Sequence, residues 1–217
     1  MPPAFDEPRI DRRTAGAARL LHWLDRAAAA LDALPADHPD RQLTSGSLRL
    51  RALGPSVFGE IVESLRAVAW PPRGSAVEPW PLLAAECWLR VQHPIEARPP
   101  GQHPHGWHQD GALGFDFTAA PRAPTAVRRM QTLWLPLVDC GVDAPSLEWI
   151  EAPEPDLLWP DELTDAALMQ RHGSQPRRHA VLSAGDALLF DGALLHRTHV
   201  RPGMTRMRIS VELRWTA

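Results

Sequence analysis

The chain has 217 residues, 44% hydrophobic and 23% charged, which suits a globular protein with a substantial core. Its formal charge of −3 gives no basis for a nucleic-acid or anionic-membrane partner, and no apolar run approaches the ~20 residues needed to span a bilayer. Residues 1–7 lack the basic-then-apolar pattern of a secretory signal, and Cys87 and Cys140 read as reduced thiols rather than a disulfide framework or zinc site, so a cytoplasmic protein is expected.

A first helix is expected over residues 14–34. Leu20, Leu21, Leu24, Ala27, Ala28 and Leu31 fall near helical spacing, Trp23 joins the stripe, Thr14 can cap and Pro35 ends it. Residues 47–53 alternate polar and apolar and read as a strand. Gly54-Pro55 opens a second helix with Phe58, Ile61, Val62, Leu65 and Val68 on its apolar face, closed by Trp70-Pro71-Pro72. Residues 82–91 read as a strand, and residues 93–106, rich in Pro and Gly, as a loop carrying His103 and His105 at a substrate rim or in solvent.

Residues 111–129 have no sustained period and read as a rim carrying Phe115, Phe117, Arg122, Arg128 and Arg129. The next strand, 130–139, points Met130, Thr132, Trp134 and Pro136 one way and Leu133, Leu135 and Leu137 the other. A short strand over 146–150, a helix over 160–172 capped by Asp161 and stopped by Gly173, strands over 179–182 and 187–190, and a last strand over 204–215 complete the reading. The 23 prolines argue against a helical bundle. Helices followed by short strands predict an all-β barrel or sandwich with helical cover. We read residues 1–217 as one domain, with 1–81 the helical cover and first strand and 82–217 the β core.

The chemistry centres on Trp107-His108-Gln109-Asp110. A histidine and a carboxylate two apart share one face of an extended segment and can grip one ion from one side. With His196 they give two imidazoles and a carboxylate, a facial set with open positions that suits Fe(II). The last strand puts Arg206, Arg208, Ser210, Glu212 and Arg214 on one side.

His108-Gln109-Asp110, the turn Gly185-Asp186 running through Phe190 into His196, and an arginine near the start of the last strand resemble the phytanoyl-CoA dioxygenase family over roughly residues 82–215. The resemblance implies a double-stranded β-helix, or jelly-roll, with the N-terminal helices packed on one sheet. It implies Fe(II) held by His108, Asp110 and His196, and 2-oxoglutarate as cosubstrate, converted to succinate and carbon dioxide while a small-molecule substrate is oxidised. Retention of Asp110, the carboxylate that related halogenases lack, favours hydroxylation, with desaturation and cyclisation left open. Trp134 resembles a tryptophan lying beside 2-oxoglutarate in relatives. Arg208-Ile209-Ser210 resembles an Arg-x-Ser anchor for the far carboxylate; Arg208 is preferred and Arg206 is the alternative. The family's Pro-Gly-Ser-His stretch is replaced by Pro145-Ser146-Leu147-Glu148, and the chain is short for the family, which points to a biosynthetic or tailoring enzyme rather than one acting on acyl-CoA. Arg122, Arg128 and Arg129 on the rim suggest an anionic substrate. The competing readings are a cupin-type metalloenzyme using His103, His105 and His108 with a distal histidine and without 2-oxoglutarate, and a non-catalytic jelly-roll binding protein.

Overall fold

The computed structural model describes residues 8–12, 15–69, 80–119, 122–152, 154–173 and 175–217. Strand β1 (Arg9–Asp11) leads to helix α1 (Ala17–Ala33), strands β2 (Arg41–Gln42) and β3 (Ser47–Arg49), and helix α2 (Pro55–Ala69). Strands β4 (Trp88–Gln92), β5 (Met130–Pro136) and β6 (Ser146–Ile150) follow, then helix α3 (Asp165–His172). Strands β7 (Arg177–His179), β8 (Ala187–Asp191), β9 (His196–His199) and β10 (Arg208–Thr216) close the chain. The strands form a seven-stranded sheet, β1-β8-β5-β10-β4-β3-β2, and a three-stranded sheet, β7-β6-β9, with antiparallel pairing throughout. Among the described residues no helix is long and apolar enough to cross a membrane.

Alternation along β10 serves two different surroundings. Ile209, Val211, Leu213 and Trp215 join Leu133 and Leu135 of β5 and Leu89 and Val91 of β4 in a layer packed with Trp23 and Ala27 of α1 and Ile61 and Leu65 of α2. Each fully buried leucine there contributes roughly 2 kcal/mol. The opposite face of the large sheet meets the small one: Trp134, Leu188 and Phe190 pack with Leu147 and Trp149 of β6. The architecture is the expected jelly-roll with the two helices on one sheet. The polar residues of β10, Arg208, Ser210, Glu212 and Arg214, are all buried, so that face is not the solvated side of a strand.

Several elements differ in detail from the sequence reading. The first helix starts after Gly16, and Leu21 and Ala28 face solvent, whereas Leu20, Trp23 and Ala27 are buried. Thr14, Trp70, Pro71, Pro72 and the side chain of Val68 lie outside the described residues. The strand expected over 47–53 ends at Arg49, because Leu50 and Leu53, three apart, both turn inward, as a 3₁₀ turn allows and a strand does not. The helix expected over 160–172 is a 3₁₀ turn followed by α3. Thr164, not Asp161, caps it, its hydroxyl accepting from Ala167 N at 3.1 Å.

Candidate active site

His108 and His196 are brought together by backbone pairing. His108 N donates to His196 O at 3.0 Å and His196 N to His108 O at 3.1 Å, leaving the ring centroids 4.1 Å apart. Each ring is held by a carbonyl two residues upstream: Nδ1 lies 2.8 Å from Gly106 O in one and 3.0 Å from Leu194 O in the other. A carbonyl only accepts, so Nδ1 carries the proton and Nε2 keeps its lone pair, the tautomer a metal ligand requires.

Gln109 fixes the segment between the two proposed ligands. Its side-chain amide donates to Glu154 O, Asp156 O and Ala193 O and accepts from Leu158 N at 2.9 Å, all in the interior. With Gln109 extended and pointing away, its neighbours face the site. Gly111 then lies against Gly192, with its N–H on Gly192 O at 2.8 Å. A Cβ at Gly111 would come 2.1 Å from Val127 Cγ1 and 2.8 Å from Arg128 O, so the turn that carries Asp110 needs glycine there.

Asp110 is buried, with Oδ1 3.8 Å from His108 Nε2 and 4.0 Å from His196 Nε2. One ligand atom from each of the three residues lies within 4.8 Å of the others, a set able to hold a metal ion. The carboxylate accepts from Thr132 Oγ1 at 2.6 Å and from Arg214, whose Nε and Nη2 each lie 3.0 Å from one of its oxygens. Burial alone would raise its pKa, but Arg214 and the two histidines outweigh that and hold it well below the carboxylate range. His108 is pushed below the imidazole range by desolvation first and His196 second; with 30% of its side chain exposed, solvent moderates that push.

A second group of polar atoms lines the same pocket. Arg208 is 1% exposed, lies with its guanidinium carbon 5.2 Å from the Trp134 ring centroid, and donates from Nη1 to Ser146 O at 3.0 Å. Burial lowers its pKa to about 10, against the pull of Glu212. Among the described residues, its Nε, the Ser210 hydroxyl and the Trp134 indole N–H are buried without a hydrogen-bond partner. Buried donors left unpaired are costly; Arg208 and Trp134 line the pocket, and Ser210 follows Arg208 by two on β10, a grouping that suits an anionic ligand. Arg206 lies on the exposed turn before β10, outside this pocket.

The sequence reading missed the ionic wall between these groups. Glu212 accepts from Arg214 Nη2 at 3.0 Å and lies 2.5 Å from Arg90 Nε, and Arg90 Nη1 reaches Ser47 Oγ at 2.8 Å and His105 Nε2 at 2.6 Å. Since arginine only donates, His105 Nε2 accepts and is not free for a metal. His103 is exposed, so the His103, His105 and His108 ligand set is not formed. The three rim arginines do not line the pocket. Arg122 pairs with Asp161 at 2.9 Å and Glu162 at 3.2 Å, Arg128 donates to Thr216 Oγ1 at 2.9 Å, and Arg129 lies over the Trp80 ring. An anionic substrate therefore has no support from them. The usable signal for the missed residues was alternation, which puts Glu212 and Arg214 on the face of Arg208, and Thr132 on the face of Trp134.

The family model described as phytanoyl-CoA dioxygenase (PhyH) matches residues 59–201, stopping short of β10. A comparison with curated proteins gives no match. Among solved structures, the chain is similar to the non-heme alpha ketoglutarate dependent epimerase SnoN from nogalamycin biosynthesis, with TM-score 0.68 and 17% identity over 97% of this chain and 78% of that one. SnoN has also been crystallised with Fe3+, alpha ketoglutarate and nogalamycin RO. EctD from S. alaskensis, in its structure with 2-oxoglutarate and 5-hydroxyectoine, gives TM-score 0.67 and 18% identity over 98% and 72%. The carbocyclase SnoK, also from nogalamycin biosynthesis, gives 0.61 and 13% over 96% and 79%. At these identities the likeness is one of fold.

Proposed function

The chain belongs to the phytanoyl-CoA dioxygenase family, and from that premise we propose that it is an Fe(II)- and 2-oxoglutarate-dependent oxygenase that hydroxylates a small molecule. The observation that carries the proposal is a facial His108, Asp110 and His196 set whose two histidines line the same pocket as a buried arginine, its Nε without a partner among the described residues. The donor set fits iron: two neutral imidazole nitrogens and a carboxylate on one side leave the other side open. The Arg208 wall fits the cosubstrate, since a fully buried guanidinium with an adjacent hydroxyl matches a carboxylate better than it matches water.

In this reading His108, Asp110 and His196 hold the ion. Arg208 and Ser210 bind the far carboxylate of 2-oxoglutarate, and Trp134 flanks its carbon chain. When bound, iron and 2-oxoglutarate supply the oxidising power, with succinate and carbon dioxide as by-products. Phe190, packed 4.8 Å from the His196 ring, and Leu147 close the apolar side and limit water. Hydroxylation is preferred because Asp110 occupies the ligand position that halide would need; the fold alone does not select it, being shared with an epimerase and a carbocyclase.

The proposal is tested by loading the protein with Fe(II) under anaerobic conditions, adding 2-oxoglutarate and oxygen, and measuring succinate with and without members of a small-molecule panel. Substrate-stimulated succinate release, abolished in His108→Ala, Asp110→Ala and His196→Ala, is the expected result. Stoichiometric zinc with no turnover of 2-oxoglutarate would favour a binding protein instead.

A further inference from the structure

A further inference rests on the metal reading above and concerns how Asp110 meets the ion. An ionised carboxylate has about four acceptor positions, two on each oxygen. On Oδ2 they are used by the Thr132 hydroxyl at 2.6 Å and Arg214 Nε at 3.0 Å. On Oδ1 one is used by Arg214 Nη2 at 3.0 Å. The position left over is on Oδ1, the oxygen that lies 3.8 and 4.0 Å from the two histidine Nε2 atoms.

Arg214 is itself fixed. It is 5% exposed, its Nη1 donates to Glu86 O at 3.0 Å and its Nη2 is shared with Glu212 at 3.0 Å. Glu212 is secured in turn by Arg90. The guanidinium therefore has no room to swing away when Asp110 takes on a metal.

We propose that Arg214 is a positioning residue that restricts Asp110 to one metal-bonding oxygen, keeping open the coordination positions that a chelating keto acid and dioxygen require. Carboxylates bind metals with one oxygen or with two. Freed from the fork, Asp110 can turn both oxygens to the ion and occupy a position the cosubstrate uses.

The test uses the full chain loaded with Co(II) alone, then titrated with 2-oxoglutarate, in the wild type, Arg214→Met and Arg214→Lys. Glu212 keeps its Arg90 partner in both variants. Both should still bind Co(II), with weaker visible d–d absorption as the coordination number rises. The affinity of Co(II)-loaded Arg214→Met for 2-oxoglutarate should fall about 10- to 100-fold, of the same order as the loss of metal affinity or activity when a group that orients a metal ligand is removed. Arg214→Lys, able to reach one oxygen only, should fall in between. Thr132→Val frees one position without disturbing the buried charges and should change both readouts in the same direction, less strongly; it decides the matter if the arginine variants do not fold. A merely structural arginine would lower the melting temperature and leave spectrum and affinity alone, and that result overturns the proposal. Loss of Co(II) binding in the folded variants also overturns it, because the fork would then hold the ion rather than limit the carboxylate. A wild-type protein that binds no Co(II) removes the metal reading and this inference with it.

Discussion

Two arginines on one face of β10 do different work because their partners differ. Arg214 is satisfied inside the protein by two carboxylates and a carbonyl. Arg208 has one carbonyl and an aromatic face, leaving a buried cation short of a counter-charge. The second arrangement is unfavourable unless a ligand completes it. Arg208→Lys keeps the charge but loses the planar fork, and should weaken 2-oxoglutarate binding by roughly 1–3 kcal/mol, the cost of leaving a buried polar group unpaired. Arg206→Lys, on the exposed turn, should change it little. Titrating 2-oxoglutarate into both variants with iron present decides the matter: a loss confined to the Arg206 variant reverses the assignment. Sequence spacing alone left the two arginines open, since both follow His196 at similar distance. Burial separates them, and burial of a charged residue depends on the opposite sheet, which the local pattern does not encode.

Elements were legible where a period was sustained and illegible where tertiary contacts set their ends. The alternation in β5 placed Trp134 and Leu135 on opposite faces, and the structure puts them in separate cores. Strand β9 was not read, because His196-Arg197-Thr198-His199 has no apolar alternation; it is a strand because β6 lies beside it. The ligand-bearing turn depends similarly on a distant neighbour, the backbone of Gly192. Gly111→Ala should therefore cost about 1–3 kcal/mol, the range for overpacking, and should weaken metal binding by displacing Asp110. Gly59→Ala in α2 meets nothing within 4 Å among the described residues and should stabilise the protein by about 1 kcal/mol, the helix-propensity difference. Equilibrium denaturation of the two variants checks both signs; a Gly111→Ala protein as stable as wild type would show that the close backbone contact relaxes freely.

The space between the sheets is divided into an apolar end around Trp149 and Leu182 and an ionic end around Asp110, Glu212, Arg90 and Arg214, with His105 at the edge of the latter. This division makes the stability of the metal-free protein depend on pH in a defined window. His105 has its pKa lowered to about 4, by burial first and by Arg90 second, and His108 is lowered as well. In the unfolded chain both titrate near ~6.5, so as pH falls below that value the unfolded state takes up protons that the folded state refuses. Stability should thus drop as pH falls from ~6.5 towards 4, by up to ~1.4 kcal/mol per pH unit for each such histidine. The carboxylates do not share this window. Glu212 is held at about 2, because Arg90 and Arg214 outweigh the upward effect of burial. Asp110 also stays ionised, so their contribution is lost only below the ordinary carboxylate range of ~4. Denaturation midpoints of the metal-free protein at pH 7.5, 6 and 5 should fall steadily with an unchanged denaturant slope, and His105→Gln should flatten the trend. A bound metal would need His108, one of these two, unprotonated, so the loaded protein should lose stability more steeply over the same range. A midpoint constant from pH 7.5 to 5 in the metal-free protein would mean that both histidines find water on opening, and that the ionic end of the interior is wetter than its packing indicates.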